Sequence, residues 1–242
     1  MRLISLFEQR PIGKTYGSIR SRIPLRTPSG PQLTESELET ELVEQLNFST
    51  RVIDIITQPI IRYKKGDLDR RYTPDVVFEV YPDATRTWRY YVIEIKKEAD
   101  LRINKAKYEE KFAVGRDWCA QNFMNFRVIA EKHLRTPYLR NTRLLSQQFR
   151  REPDHNHLSA LLSVTAGAPT RIADAINAMI RAGFNEPLCR ETIERAVANR
   201  FVECDLSIPF TDDSILFTAD VNLADSTDRD PILKAIRTAE TP

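Results

Sequence analysis

Apolar residues alternate with other residues along two short stretches of the chain. They occupy every second position at Val76, Phe78 and Val80, and again at Tyr91, Ile93 and Ile95. A period of two is typical of β-strands. Pro82, Asp83 and Thr85 lie between the stretches and are common turn formers. The pattern therefore predicts a β-hairpin within about residues 70–97.

A four-residue apolar repeat predicts a helix ahead of this hairpin, from about Glu35 to Asn47. Its buried stripe consists of Leu38, Leu42 and Leu46. Thr34 and Glu37 have the three-residue spacing of a capping box, in which each side chain binds a backbone N–H of the first turn.

The acidic residues of this helix are not all on its solvent side. Glu37 and Glu44 fall opposite the leucine stripe, and Glu41 falls on the flank of that polar face. Glu39 falls inside the apolar arc, where a carboxylate is costly unless it is paired or bound to a metal ion. Glu39 is either a member of a functional site or an edge residue that reaches solvent.

The chain after the hairpin predicts a helix over residues 99–122 and a strand over residues 126–130. A hairpin followed by a helix and a strand predicts an α/β fold with a mixed sheet flanked by helices. Residues 132–151 carry six Lys or Arg residues and no acid. They form either a basic linker that follows DNA or a solvated connector.

The last third of the chain predicts an α+β winged-helix domain. Helices are expected over residues 158–164, after a cap at Thr170, and around residues 188–197. Two strands are expected over residues 201–208 and 214–219, and the residues beyond Asp220 are expected to be a frayed polar tail. The predicted domains are a basic arm (1–30), a nuclease-like domain with the basic linker (31–151) and the winged helix with its tail (152–242).

Composition suits a soluble globular protein, with 41% hydrophobic and 29% charged residues among 242. The sequence predicts no signal peptide and no membrane span. Cys119, Cys189 and Cys204 are too few and too widely spaced to indicate disulfides or a zinc site. A cytoplasmic location is the expectation.

Charge divides the chain into a basic and an acidic part. Residues 1–151 have a net charge of +9, and residues 152–242 have a net charge of −7. The basic part is expected to contact DNA phosphates, and the acidic part to bind a protein. The candidate DNA-binding residues are Arg20, Arg22, Arg70, Arg71 and Lys97. The basic arm itself is either a DNA-contacting arm or a solvated tail.

The hairpin also carries the candidate chemistry. Asp75 follows Pro74 at the start of one strand, and Glu94 and Lys96 lie two positions apart on one face of the other. Carboxylate oxygens suit Mg²⁺, which lowers the pKa of a bound water. Lys96 could orient that water, or take its proton if its own pKa were lowered.

Pro74-Asp75 followed by Glu94-Ile95-Lys96 resembles the PD-(D/E)-x-K nucleases. Together with residues 35–39, 52–59 and 72–75, these motifs resemble the N-terminal domain of TnsA, the endonuclease subunit of heteromeric cut-and-paste transposases. The resemblance covers roughly residues 20–135. TnsA proteins can carry glutamine in place of Glu94, so this chain is closer to the general nuclease pattern.

The resemblance implies a catalytic set of Glu39, Asp75, Glu94 and Lys96. The three acids would hold Mg²⁺, which Mn²⁺ can replace. It also implies cutting of the 5′ (non-transferred) strand of double-stranded DNA at transposon ends, beside a DDE transposase. An AAA+ ATPase regulator would meet the C-terminal domain.

Two alternatives stay open at the level of sequence. One is a free-standing defence or repair nuclease on the same fold. The other is a catalytically inert DNA-binding adaptor, against which the acids and lysine at all four positions argue. A neighbouring transposase gene would favour a role in transposition.

Overall fold

A computed structural model describes residues 6–11, 21–81, 90–218 and 230–239. The chain forms two compact units, one comprising residues 1–135 and 227–242 and the other residues 136–226. The predicted hairpin turn at Pro82, Asp83 and Thr85 lies outside the described residues.

The first unit is built around one four-stranded sheet, to which further strands and helices are added. Its strands are β1 (Glu8–Gln9), β2 (Ser21–Ile23), β3 (Gln32–Thr34), β4 (Val52–Thr57), β5 (Pro59–Lys65), β6 (Leu68–Tyr72), β7 (Val76–Val80), β8 (Tyr90–Lys96) and β9 (Asn125–Ala130). Its helices before residue 135 are α1 (Glu37–Phe48), α2 (Glu98–Ile103), α3 (Lys105–Gln121) and α4 (Glu131–Leu134).

The central sheet has the order β4-β7-β8-β9. The first three strands are antiparallel and β9 is parallel to β8, so the sheet is mixed as predicted. All five residues of β7 are buried, which means that both faces of the sheet are covered. The two predicted hairpin strands are confirmed, and they pair directly from Val76↔Ile93 to Glu79↔Tyr90.

One sheet face packs against α3. The core on this side joins Phe112 and Cys119 of the helix to sheet residues that include Val77, Val92 and Phe126. On β8, Glu94 and Lys96 follow Val92 at intervals of two, so they extend the face that α3 covers. The mixed α/β sheet therefore points Glu94 and Lys96 toward this helix.

Helix α1 confirms the leucine stripe but corrects the predicted cap. Leu38, Leu42 and Leu46 are buried, and the helix contacts β4. The N-cap is Ser36 rather than Thr34, because the Ser36 hydroxyl accepts the Glu39 backbone N–H at 3.2 Å. The predicted continuous helix over residues 99–122 is divided into α2 and α3 at Asn104.

Described parts of the predicted basic arm lie in sheets. Strand β1 pairs with β5, β2 pairs with β3, and Phe7 is buried in the core beside α3. Apolar contacts and backbone pairing thus hold residues 6–10 and 21–23 in place.

The second unit begins inside the predicted linker. It contains α5 (Pro137–Leu145), α6 (His155–Thr165), β10 (Thr170–Arg171), α7 (Ile172–Arg181), α8 (Glu186–Ala198), β11 (Val202–Cys204) and β12 (Ile215–Thr218). Tyr138, Leu139 and Leu145 are buried, so the linker prediction is wrong for this stretch. Exposed arginines lie between these apolar residues, so the sequence pattern did not indicate a helix with a buried face.

The sheet of the second unit has the order β10-β12-β11 and is antiparallel. Helices α6, α7 and α8 pack against one another. The cap predicted at Thr170 is wrong because Thr170 pairs with Leu216 in the sheet and Arg171 is the N-cap of α7. Both predicted strands are present but shorter than expected.

The predicted frayed tail contains a helix, α9 (Pro231–Thr238), which belongs to the first unit. Ile232, Leu233 and Ile236 are buried, and the helix contacts α4 and β9. Asp230 caps it and also accepts a hydrogen bond from the Ser49 hydroxyl. The prediction of a frayed tail is wrong for this segment. After the polar stretch, three apolar residues at helical spacing bury one face of α9.

None of the helices within the described ranges is both long and apolar enough to span a membrane.

Gly115 of α3 should tolerate no side chain. A Cβ there would lie 2.6 Å from the Phe126 ring, which is itself buried in the core. Gly115→Ala should therefore destabilise the protein by about 1–3 kcal/mol through overpacking. Chemical denaturation measures this, with Gly167→Ala as the control because a Cβ at that position would have no packing neighbour within 4 Å. Equal stability of the two variants would contradict the close α3–sheet contact.

Candidate active site

The ends of β7 and β8 bring Asp75 close to Lys96. The Asp75 N–H donates to the carbonyl of Ile93 at 3.0 Å, and its carboxylate Oδ2 accepts the Ile95 N–H at 2.6 Å. The Asp75 side chain thus takes the place of a backbone acceptor where β7 begins. This fixes the carboxylate beside the end of β8.

Lys96 lies among three oxygen atoms. Its Nζ is 2.6 Å from Glu94 Oε2, 3.2 Å from Asp75 Oδ2 and 2.8 Å from the Ile95 carbonyl. The alternation of side chains along β8 predicted that Glu94 and Lys96 share a face. The two side chains are in direct contact. Two carboxylates and one carbonyl converge on one cation.

Glu94 is completely buried, and both of its oxygens have partners. Its Oε1 accepts the Tyr72 hydroxyl at 2.8 Å and lies 2.8 Å from Lys111 Nζ. A buried carboxylate is tolerated when opposite charges and hydrogen bonds compensate its lost hydration. The Glu94 carboxylate contacts both Lys96 and Lys111, and Asp75 contacts Lys96, so two lysines compensate the acids of the cluster.

Lys111 and Tyr72 are the members of this cluster that the sequence did not predict. Lys111 lies on α3, which packs so that Lys111 reaches Glu94. Tyr72 enters from the end of β6. The spacing along the chain gave no signal for either contact, because each depends on packing between distant segments.

Burial and the neighbouring charges shift the pKa values of the residues in this cluster. Burial, followed by the charge of Glu94, raises the pKa of Asp75 from 3.8 to about 7. Burial alone would raise the pKa of Glu94, but Lys96 and Lys111 outweigh it and the pKa is lowered. Burial likewise opposes the charge of Lys96, yet Asp75 and Glu94 raise its pKa. Lys96 is therefore a stable cation at neutral pH rather than a proton acceptor.

Tyr72 keeps its proton for similar reasons. Burial and the adjacent Glu94 carboxylate raise its pKa far above the ordinary value. The hydroxyl is thus a permanent hydrogen-bond donor to Glu94.

Glu39 lies at the start of α1, buried at 6% exposure. Its carboxylate accepts the Glu35 N–H at 2.9 Å, the Ser36 hydroxyl at 3.0 Å and the Gln58 amide at 3.2 Å. These bonds stabilise a buried carboxylate at a helix N-terminus, where the dipole also favours negative charge. Glu39 lies near enough to Asp75 to raise its pKa slightly.

Glu41 is buried, although the sequence placed it on the flank of the polar face of the helix. It is 3% exposed, and its carboxylate accepts Arg135 Nε at 3.0 Å. The ion pair with Arg135, the residue after α4, explains a burial that periodicity could not show.

The candidate DNA-binding residues occupy several elements. Arg22 is exposed on β2, Arg70 and Arg71 are exposed on β6, and Lys97 is exposed as the residue before α2. Arg20 lies outside the described residues.

The oxygens around Lys96 are chemically suited to a hard divalent cation. Mg²⁺ prefers carboxylate and carbonyl oxygens, and those of Asp75, Glu94 and Ile95 already surround a positive charge. Within the described part of the chain, no three His, Cys, Asp or Glu side chains form a ready-made metal cluster. The donor set therefore fits such a cation through two carboxylates and a backbone carbonyl.

A mixed α/β sheet with Pro-Asp and Glu-x-Lys on adjacent strands is consistent with a restriction-endonuclease-like nuclease fold. Residues 49–131 match the family model described as TnsA-like endonuclease N terminal, so the chain carries a TnsA-like endonuclease domain. The resemblance predicted from the sequence is confirmed for this segment. The family indicates a nuclease of Tn7-like transposition.

The matched segment is about a third of the chain and includes Asp75, Glu94, Lys96 and Lys111. Glu39 lies ahead of it. A search of curated proteins finds no match to the chain.

Asp75→Asn should stabilise the metal-free protein at alkaline pH. Because the pKa of Asp75 is about 7 when folded and ordinarily 3.8, its bound proton stabilises the fold below pH 3.8, and this contribution is lost as pH rises through about 7. Above that pH the wild type holds a buried charge that asparagine lacks. The difference in Tm, variant minus wild type, should grow between about pH 4.5 and about pH 8.

Thermal unfolding with a chelator present measures this difference. Asp100→Asn is the control, because hydrogen bonds from Tyr108 and Asn104 lower the pKa of that carboxylate. Its Tm difference should not grow with pH. A pH-independent difference for Asp75→Asn would contradict the electrostatic account of the cluster.

Proposed function

We propose that this protein is a metal-dependent DNA endonuclease that hydrolyses the 5′ strand at transposon ends, together with a DDE transposase and an AAA+ ATPase regulator. The observation that carries the proposal is the meeting of Asp75, Glu94 and Lys96 at adjacent strand ends. These residues lie within the segment that matches the TnsA-like endonuclease family.

The contacts of Asp75, Glu94 and Lys96 support the proposed roles. Asp75 and Glu94 would hold Mg²⁺ or Mn²⁺, with Glu39 as the third acid. When bound, such a cation neutralises phosphate charge and lowers the pKa of a bound water. Lys96, kept cationic by its two acids, orients the attacking water and stabilises charge on the scissile phosphate.

Exposed basic residues near the cluster support DNA as the substrate. Arg70 and Arg71 lie exposed on β6, the strand that ends at Tyr72 beside Glu94. Their charges are suited to phosphates near the reacting one. Arg22, Lys97 and the undescribed Arg20 would add contacts along the duplex.

The second unit is proposed to be a winged helix that binds a protein partner. Three mutually packed helices and a three-stranded antiparallel sheet support the fold. Residues 152–218 are rich in acids, and Asp212 and Asp213 pair with Arg190 and Arg171 near the start of β12. An acidic surface disfavours DNA and suits a protein with a basic face.

A strand-specific cleavage assay tests the function. Duplex DNA carrying a transposon end is incubated with Mg²⁺, with and without the cognate transposase, and each strand is labelled separately. Cutting of the 5′ strand is expected, and Asp75→Ala should abolish it. Full activity of Asp75→Ala would contradict the site assignment, and efficient cutting of unrelated DNA without partners would favour a free-standing nuclease.

Lys96→Ala should reduce the cleavage rate by ~10²–10³-fold while DNA binding and metal binding are retained, because a fixed cation that stabilises charge on the phosphate and orients the water acts in the transition state. Single-turnover kinetics measure the chemical step. Lys107→Ala is the matched control, since it removes an exposed lysine of α3. A loss of less than about tenfold in Lys96→Ala would place this residue outside the chemistry.

A further inference from the structure

Gln58 connects β4 to β5 in an unusual backbone conformation. Its φ is 51°, in the left-handed region that residues with a side chain rarely adopt. The residue is also buried, at 4% exposure. Such strain persists only where the surrounding structure fixes it, and it is common at functional sites.

The Gln58 side chain is bound at both ends. Its Nε2 donates to Glu39 Oε2 at 3.2 Å, and its Oε1 accepts Arg10 Nη2 at 2.8 Å. A guanidinium can only donate hydrogen bonds, so Arg10 determines which end of the amide faces it. The donating end is thereby directed toward the carboxylate of Glu39.

The Gln58 backbone is hydrogen-bonded to Asp75, the acid that precedes β7. Its N–H donates to the carbonyl of Asp75 at 2.9 Å, and its carbonyl accepts the Arg10 N–H at 2.9 Å. One residue therefore contacts the acid of α1 through its side chain and the acid of the sheet through its backbone. No other residue in the described ranges hydrogen-bonds to both Glu39 and Asp75 among the contacts resolved for them.

We propose that Gln58 is a positioning residue that holds the Glu39 carboxylate in register with Asp75 for divalent-cation binding. This inference rests on the proposed function, because it takes Glu39 as the third acid. A residue that only stabilised the β4–β5 connection would affect the fold without a selective effect on metal affinity.

Gln58→Gly separates the two roles. Glycine accepts the left-handed backbone conformation without strain but removes the amide. Mn²⁺ binding to the metal-free protein is measured by calorimetry, and folding by thermal unfolding. Loss of such an outer contact typically weakens metal affinity by ~10–100-fold. We expect a weakening of at least about tenfold in protein that is still fully folded at the temperature of the titration.

Gln45→Leu is the matched control. Gln45 is a buried glutamine of the same helix as Glu39, and its amide donates to the carbonyls of Glu41 and Leu134. This variant should lose stability but bind Mn²⁺ as the wild type does. Equal weakening in both variants would show a general structural effect and overturn the proposal.

A double-mutant cycle tests whether Gln58 acts through Glu39. In a Glu39→Ala background, adding Gln58→Gly should leave the Mn²⁺ affinity unchanged. Additive weakening, or wild-type affinity in Gln58→Gly alone, would overturn the inference. If the wild type binds Mn²⁺ but cuts no DNA, the nuclease proposal fails while the Gln58 result still stands. Absence of Mn²⁺ binding by the wild type would overturn both.

Discussion

The buried carboxylate of Glu94 is the constraint on which the candidate site depends. Its two oxygens are shared among Lys96, Lys111 and Tyr72, which come from β8, α3 and β6. Breaking a buried ion pair by removing one partner typically costs ~3–5 kcal/mol, since a charge is left without compensation. The same contacts that make Glu94 tolerable inside the protein therefore join three elements and fix the end of β8. Asp75 lies at the edge of this network, where burial and Glu94 together favour its protonated form.

The candidate site residues on the sheet and on α1 are stabilised in different ways, and they are called the sheet half and the helix half here. In the sheet half, positive side chains surround the carboxylates of Asp75 and Glu94. In the helix half, hydrogen-bond donors from Glu35, Ser36 and Gln58 surround Glu39. Lys96 Nζ lies among the oxygens of Asp75, Glu94 and the Ile95 carbonyl. A divalent cation that bound these oxygens would have to displace Lys96 or share them with it, so its binding would be coupled to the position of Lys96.

The segment that matches the family model lies in the first of the two compact units. The family match covers residues 49–131, which lie wholly in the first unit, and the first unit also contains the C-terminal helix. The chain thus leaves the nuclease unit at about residue 135 and returns to it after residue 226. The second unit is an insertion in this sense, and it lies outside the segment that matches the family model.

Periodicity along the chain determined the elements whose signals are local. Alternation along β7 and β8 predicted the strands and placed Glu94 and Lys96 on one face, because a strand reverses side-chain direction at every residue. The leucine spacing predicted α1 in the same way and placed Glu39 inside the apolar arc, either as a member of a functional site or as an edge residue that reaches solvent. Tertiary packing decided which residues contact the acidic side chains. The approach of Lys111, the entry of Tyr72, the pairing of Glu41 with Arg135 and the return of residues 231–238 join segments far apart in sequence. Spacing cannot reveal such contacts, because they depend on how whole elements pack and not on the faces that each element presents.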